Sequence, residues 1–438
     1  MKSIISTLFI LLFTLITGCD DNTDVHVSKG RVLKPAACNV ESEKQFIFDV
    51  MKDTYLWYDQ VPAVDLSQYD SANSLLDALR VHPDRFSYIT QQAAHNAFFD
   101  EGTYEGFGFS SAVTATNDAY QIRYVFLDSA SGSAGLKRTD KITAINGTSA
   151  TDIIASGGIN QFLSGYIAGD NVTFTVQTID NLVSDHVLTK SLVHINTVIH
   201  QSVVNASGLN IGYVALSDFI DNTSQEFSNV VTSFKQSGIN ELVLDMRYNT
   251  GGRLDAANSV ASLIGGQIVD IYNFSQIVHN DKYASSNITI AFKSLTDALN
   301  MQRIYVLTSP STCSASELVI NSLEPFIEVI KIGSPTCGKP IGMYGKSFCE
   351  KLFLPIELQV LNHYGQGDYF NGIAEDCYQT DNLDYAFADL NEPMFAEAVF
   401  HINNGICQPV VAPQNLISNY KTPTSSQKLI ENYMSNKF

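Results

Sequence analysis

Apolar residues along the chain follow one period up to about residue 103, another to about 194, and an alternation of both beyond. From Glu41 to Tyr58, the residues Phe46, Ile47, Val50, Met51, Tyr55 and Leu56 recur three and four apart, the spacing that lines one face of a helix. A shorter run of the same kind lies between Ser71 and Arg80. Together they predict a small helical N-terminal region over 38–103. From Tyr104 to His194 short β-rich runs are punctuated by Gly and Asn-Gly, which predicts a β-rich unit over 104–194. Past it, apolar runs at 211–216, 241–246 and 303–308 alternate with helical patterns at 224–235 and 254–264. That alternation predicts an α/β core with a mainly parallel sheet over 195–408. Residues 409–438 form a polar tail with one helical pattern near its end.

The length of 438 residues suits two or three such units, and 45% hydrophobic with 16% charged residues is the balance of a folded protein. A formal net charge of −19 with no basic cluster argues against a nucleic-acid surface, which needs Lys and Arg to displace phosphate counterions. The chain opens on one Lys and an apolar run from Ile4 to Ile16. That run is short for a membrane span and suits a signal-peptide core, so residues 1–18 are expected to address the chain rather than structure it. Ile16-Thr17-Gly18-Cys19 resembles a bacterial lipobox. The resemblance makes Cys19 the lipid-bearing mature N-terminus, residues 19–37 a flexible tether, and the protein a lipoprotein of the cell envelope facing the periplasm. Asp20 and Asp21 resemble the signal that keeps such proteins in the inner membrane. The remaining cysteines are Cys38, Cys313, Cys337, Cys349, Cys377 and Cys407. An oxidising compartment permits disulfides but leaves their pairing open; the short separation makes Cys337–Cys349 the first to expect. The spacings match no zinc site and the His residues are scattered, so neither a metal nor another cofactor is expected.

Within the β-rich unit, Ala134-Gly135-Leu136 followed by Asp140, Ile142 and Ile145-Asn146-Gly147 looks like the signature of a PDZ domain. Upstream, Gly106-Phe107-Gly108-Phe109 resembles the loop whose amides receive a peptide's terminal carboxylate. Glycines let such a loop turn its N–H groups toward one anion while the neighbouring strand edge pairs with the peptide.

Three segments of the α/β core combine an apolar strand with a turn of small residues: Leu242 to Gly252, Ser311 to Glu317, and Gly333 to Lys339. They resemble the three motifs of the carboxy-terminal processing (tail-specific) proteases, a Ser/Lys peptidase family, and Ser314 and Lys339 stand 25 positions apart as in that family. The resemblance runs from about Cys38 to Cys407 and takes in Asp84-Arg85-Phe86-Ser87-Tyr88. It implies a ClpP/crotonase-like α/β core with an inserted PDZ domain, and cleavage of exported proteins or peptides.

The residues support that chemistry by themselves. A Ser hydroxyl needs a base to take its proton as it attacks. Lys serves only when neutral, which requires surroundings that lower its pKa from about 10.4 toward about 7 or 8. Lys339 has such a setting, Cys337-Gly338-Lys339-Pro340-Ile341-Gly342. Ser314-Ala315-Ser316-Glu317 ahead of Leu318-Val319-Ile320 is a capping-box pattern that places Ser314 at a helix N-terminus, where free N–H groups favour negative charge. The family's oxyanion hole maps onto the N–H of Ala315 and of Gly251 or Gly252. Each motif alone has a plainer reading: Ser-x-x-Glu commonly only caps a helix, Gly251-Gly252 suits a tight turn, and a loop Lys is usually solvated. Asp245 and Arg247 suit an ion pair supporting the glycine loop, and Cys313 a small buried packing residue. One departure stands out. Where the best-known members carry a Gln that orients the lysine, this chain has Met343, and Gln359 on the following run, Leu352 to Leu361, is the candidate replacement. Ser425-Ser426-Gln427-Lys428 matches the Ser-x-x-Lys of β-lactamases but lies in the polar tail without that family's companion motifs. The competing reading is a non-catalytic ligand- or peptide-binding lipoprotein of the same fold; an esterase or amidase is a smaller rival. Cys19→Ala is expected to move the protein from the membrane fraction to the soluble one; retention in membranes after signal-peptide cleavage would refute the lipid anchor.

Overall fold

A computed structural model describes residues 37–409. Cys19, the leader, most of the tether and nearly all of the polar tail lie outside the described residues. Among the described residues no helix is long and apolar enough to cross a membrane.

At the centre is a six-stranded sheet in the order 198–206, 209–216, 241–245, 303–308, 328–333, 377–378. Its first pair is antiparallel and the rest are parallel. Helices cover both faces, so alternate residues of one strand serve two cores. Val214, Leu244 and Val306 face the helices Thr223–Ser237, Leu254–Gly265 and Ala315–Leu323. Tyr213, Val243 and Tyr305 face the helix Pro393–Asn404. This is why the strands read as unbroken apolar runs, the pattern of a parallel sheet buried on both sides. A four-stranded sheet, 288–291, 273–279, 356–361 and 341–343, adds Phe274, Ile277, Leu358 and Val360 to the first core.

The N-terminal region has no separate core. Phe46, Val50, Leu75 and Phe86 pack with Cys313, Ile341, Phe353 and Ile356 in one cluster. Its first helix, Val40–Asp53, is capped by Asn39, whose side chain accepts from the Ser42 N–H at 2.9 Å. It stops short of the expected Tyr58 because the Leu56 N–H donates to Ile356 O at 2.8 Å, leaving Tyr55 buried outside the helix. The expected single strand from Leu352 to Leu361 is likewise two, Lys351–Leu354 and Ile356–Leu361, in different sheets. Pro355 has no N–H for a ladder and restricts the residue before it. The β-rich unit has its own antiparallel sheet, 109–113, 120–125, 141–145, 171–177 and 183–189, around Phe107, Phe109, Ile142 and Phe174. Where the chain enters and leaves it, Thr103–Gly106 pairs with Ser191–His194, so the unit is an insertion closed at its neck.

Among the described residues three disulfides join Cys38 to Cys349, Cys313 to Cys337, and Cys377 to Cys407. The expected Cys337–Cys349 bridge is not made: Cys313, on the turn before the helix Ala315–Leu323, reaches Cys337, and Cys38 of the N-terminal region reaches Cys349, contacts that sequence separation does not reveal.

Behind the glycine loop, Arg247 is 1% exposed. Its Nε lies 3.0 Å from Asp245, Nη1 lies 2.7 Å from Asp381, and Nη1 and Nη2 reach Glu392 at 2.8 and 3.0 Å. Burial alone would depress the guanidinium, but these carboxylates hold it well above its usual range. Arg138 of the β-rich unit reaches the same Asp381 at 2.8 Å and the Tyr248 hydroxyl at 2.7 Å. Burial would raise the Asp381 carboxyl, yet Arg247 and Arg138 hold it far below the carboxylate range. Removing one partner of a buried ion pair leaves charge uncompensated. Arg247→Ala is therefore expected to lower stability by about 3–5 kcal/mol, read as a fall in the urea midpoint; a change within error would mean the network carries no net stability.

Candidate active site

Ser314 sits between the strand Arg303–Thr308 and the helix Ala315–Leu323. The turn before it is held to the glycine loop: Ser309 Oγ donates to Arg247 O at 2.5 Å, Thr312 Oγ1 to Met246 O at 2.9 Å, and the Cys313 N–H to Asn249 O at 3.1 Å. Ser314 itself has φ +54° and ψ −111°, a conformation that costs a non-glycine residue roughly 1–3 kcal/mol and that clusters at functional sites. The Ala315 N–H opens the helix, where the geometry offers no intrahelical acceptor.

The glycine loop closes on this turn. A Cβ on Gly251 (φ +100°) would lie 2.8 Å from Ser314 Cβ and 3.0 Å from the Ala315 nitrogen, so no larger residue fits. The Gly251 N–H is engaged by Asn249 Oδ1 at 2.9 Å. The Gly252 N–H has no hydrogen bond among the described residues. Of the two expected glycine donors, Gly252, which packs against Phe219, is thus the one whose N–H is left open.

The lysine-bearing loop docks from the other side through one carboxylate. Glu317, wholly buried, accepts from the Ser314 N–H at 2.8 Å, Thr336 Oγ1 at 2.5 Å, the Gly338 N–H at 2.7 Å and the Lys339 N–H at 2.8 Å. Ser314 and Lys339 donate to the same oxygen, Oε2. Burial pushes the Glu317 carboxyl up, and these four donors pull it back. Arg85 of the N-terminal region donates to Cys337 O at 2.5 Å and Phe370 O at 3.3 Å. The Cys313–Cys337 disulfide, with Cα atoms 5.1 Å apart, ties the residue before Ser314 to the residue two before Lys339. Cys313 is therefore a covalent strut, where a small packing residue was expected.

Burial lowers the Lys339 ammonium to about 8, against the pull of the Glu317 and Asp84 carboxylates. Its Nζ lies 5.4 Å from the centre of the Phe86 ring and has no hydrogen-bond partner among the described residues. Met343 packs in the apolar N-terminal cluster. Gln359 turns its amide nitrogen to Gly367 O at 3.4 Å, and no hydrogen bond joins it to Lys339.

In the β-rich unit Phe107 and Phe109 are core residues that meet Phe174 edge-on at 5.1 and 5.7 Å. Gly106 ends the neck strand, and Gly108 has φ +92° where a Cβ would strike Ser129 at 2.0 Å. The strand Phe109–Val113 that follows lies at an edge of its sheet. Sequence reasoning did not anticipate the second role of Glu317, or the reach of Arg85 across 252 positions. The Glu of the capping box was the available signal for the first; the Asp84-Arg85-Phe86-Ser87-Tyr88 stretch pointed to the second without indicating what Arg85 meets.

Residues 210–377 match the model of Peptidase family S41, and residues 42–88 match the Peptidase S41 N-terminal domain. The chain belongs to Peptidase family S41. It is 25% identical over 293 residues to a protein of Staphylococcus aureus (strain N315) named as a CtpA-like serine protease, covering 66% of this chain and 55% of the relative. A protein of the same name from Staphylococcus epidermidis is 23% identical over 282 residues, covering 64% and 54%. The chain thus spans about half the length of the curated relatives it matches. A crystal structure named as an S41 protease from Bacteroides fragilis NCTC 9343 aligns with TM-score 0.69 and 23% identity over 83% of this chain and 98% of the other. The mixed α/β fold is therefore that of S41 protease structures.

Because the Glu317 charge favours the ammonium, Glu317→Gln is expected to bring the Lys339 pKa below about 8. The pH dependence of reductive methylation at Lys339, followed by mass spectrometry, measures it; a value unchanged or raised would show that the carboxylate does not act on Lys339.

Proposed function

We propose that this chain is an exported, lipid-anchored serine endopeptidase in which Ser314 is the nucleophile and Lys339 its base. The observation that carries the reading is a lysine depressed to about 8 on a loop held by one carboxylate to the turn of a half-buried, strained serine. The names of the staphylococcal relatives agree with it. Ser314 Oγ attacks the scissile carbonyl carbon as Nζ of neutral Lys339 accepts the hydroxyl proton. The oxyanion forms against the N–H groups of Ala315 and Gly252, where each such donor is worth roughly 10²- to 10³-fold in rate. The lysine ammonium then returns the proton to the leaving amine. A water, deprotonated by the same lysine, releases the acyl group from Ser314. The core is of the ClpP/crotonase type, and the β-rich insertion is a PDZ domain whose edge strand and Gly106–Phe109 loop hold a substrate C-terminus or extended segment. Cys19 carries the anchor on the periplasmic side.

Ser314→Ala is expected to abolish cleavage of an unfolded protein or a peptide library, with cuts read by mass spectrometry. Lys339→Arg is expected to be nearly as inactive, since guanidinium does not deprotonate near neutral pH. In the wild type kcat/KM is expected to rise about tenfold per pH unit below about 8 and level off above it, because only neutral lysine serves as base. Undiminished cleavage by Ser314→Ala would refute the mechanism, and absence of any cleavage by the wild type would favour the non-catalytic reading.

A further inference from the structure

The Cys313–Cys337 disulfide stands apart from the other two. Cys38–Cys349 pins the start of the N-terminal region, and Cys377–Cys407 pins the edge strand to the end of the helix Pro393–Asn404. Neither includes a neighbour of Ser314 or Lys339. Cys313–Cys337 joins the residue immediately before the one to the residue two before the other. The segment between them holds an entire helix and strand, Ala315–Leu323 and Glu328–Gly333, so this bond adds a covalent limit to a separation that is otherwise held by hydrogen bonds alone.

We propose that the Cys313–Cys337 disulfide is a positioning element of the active site, so that the enzyme is competent when this bond is oxidised and is switched down by a dithiol reductant. The inference rests on the Ser314/Lys339 reading of the site. Two thiol sulfurs do not remain at bonding distance; they part toward van der Waals contact, roughly 3.5–4 Å. The parting is delivered to the two loops that present the nucleophile and the base, where a shift of about 1 Å costs on the order of 10²-fold in rate. The fold survives, because the Cys337 N–H still donates to Thr312 O at 3.0 Å and the Glu317 and Arg85 bonds remain. Cys313 is 7% exposed and Cys337 is more open, so a thiolate attacks at the Cys337 sulfur. The sulfur–sulfur bond breaks with the Cys313 thiolate as leaving group. The second thiol of the reductant then resolves the mixed disulfide. Two electrons and two protons pass to the cysteine pair, and the dithiol becomes a disulfide. Loosening also lets water reach the Lys339 ammonium, which moves the rising limb of the pH profile, set near 8 in the oxidised protein, toward higher pH.

The test uses the purified full-length oxidised protein, treated with graded dithiothreitol under native conditions, with each disulfide mapped by mass spectrometry and the fold followed by circular dichroism. Reduction of Cys313–Cys337 is expected to lower kcat roughly 10- to 100-fold with little change in KM, to shift the pH limb upward, and to be reversed by reoxidation. Cys38→Ser/Cys349→Ser and Cys377→Ser/Cys407→Ser are expected to keep both the basal kcat and the response to dithiol. Cys313→Ser/Cys337→Ser is expected to start from the low kcat and ignore the reductant. If that last variant does not fold, the native titration decides alone. Unchanged kcat and pH profile after full reduction of this bond would overturn the proposal while Ser314-dependent cleavage left the dyad standing, and loss of the fold on its reduction would overturn it too. Cleavage surviving in Ser314→Ala would instead remove the reading on which it rests.

Discussion

Four donors from two separate loops converge on the Glu317 carboxylate, and the geometry around Ser314 depends on that convergence. A carboxylate wholly removed from water is unfavourable unless its lone pairs are filled. Here they are filled by the Ser314, Gly338 and Lys339 amides and the Thr336 hydroxyl. The requirement acts in both directions: the loops satisfy the charge, and the charge fixes the loops. It also moderates Lys339, whose burial would otherwise depress it further. The same residue therefore sets where the lysine loop lies and how readily its amine gives up a proton.

A second charge cluster does for the glycine loop what Glu317 does for the lysine loop. Arg247 sits between Asp245, Glu392 and Asp381, and Arg138 of the insertion completes the set through Asp381. Three distant parts of the chain thus meet just behind Asn249, whose side chain in turn holds the Gly251 N–H. Such a cluster contributes less by attraction than by intolerance of any missing partner. The insertion is tied to the core at the loop that borders Ser314.

Much of this was legible in the sequence. The strand Arg303–Thr308 has its predicted limits, because a run buried on both faces has no polar position at which to drift. The capping-box pattern placed Ser314 at its helix terminus, and the Asp245–Arg247 pair is present as expected. The errors share one cause, which is contact between distant segments. Tyr55 and Leu56 keep a helical spacing although Ile356 draws the backbone away. Disulfide pairing, the role of Arg85 and the bonding of Gln359 to Gly367 all depend on which loops meet. Gly251 and Gly252 are indistinguishable as letters, and only the Asn249 side chain separates them.

The reach of Arg85 to the Cys337 carbonyl, 252 positions away, and of Cys38 to Cys349, 311 away, has a consequence for how the molecule is made. Synthesis is vectorial, so the N-terminal region emerges long before the segments it must grip. At about 5–20 residues per second the delay is roughly 12–60 s. Through that interval Phe46, Val50 and Phe86 lack the partners Phe353 and Ile356 that complete their cluster. The nascent chain therefore carries an unfilled apolar surface and an unassembled centre until its last third is delivered.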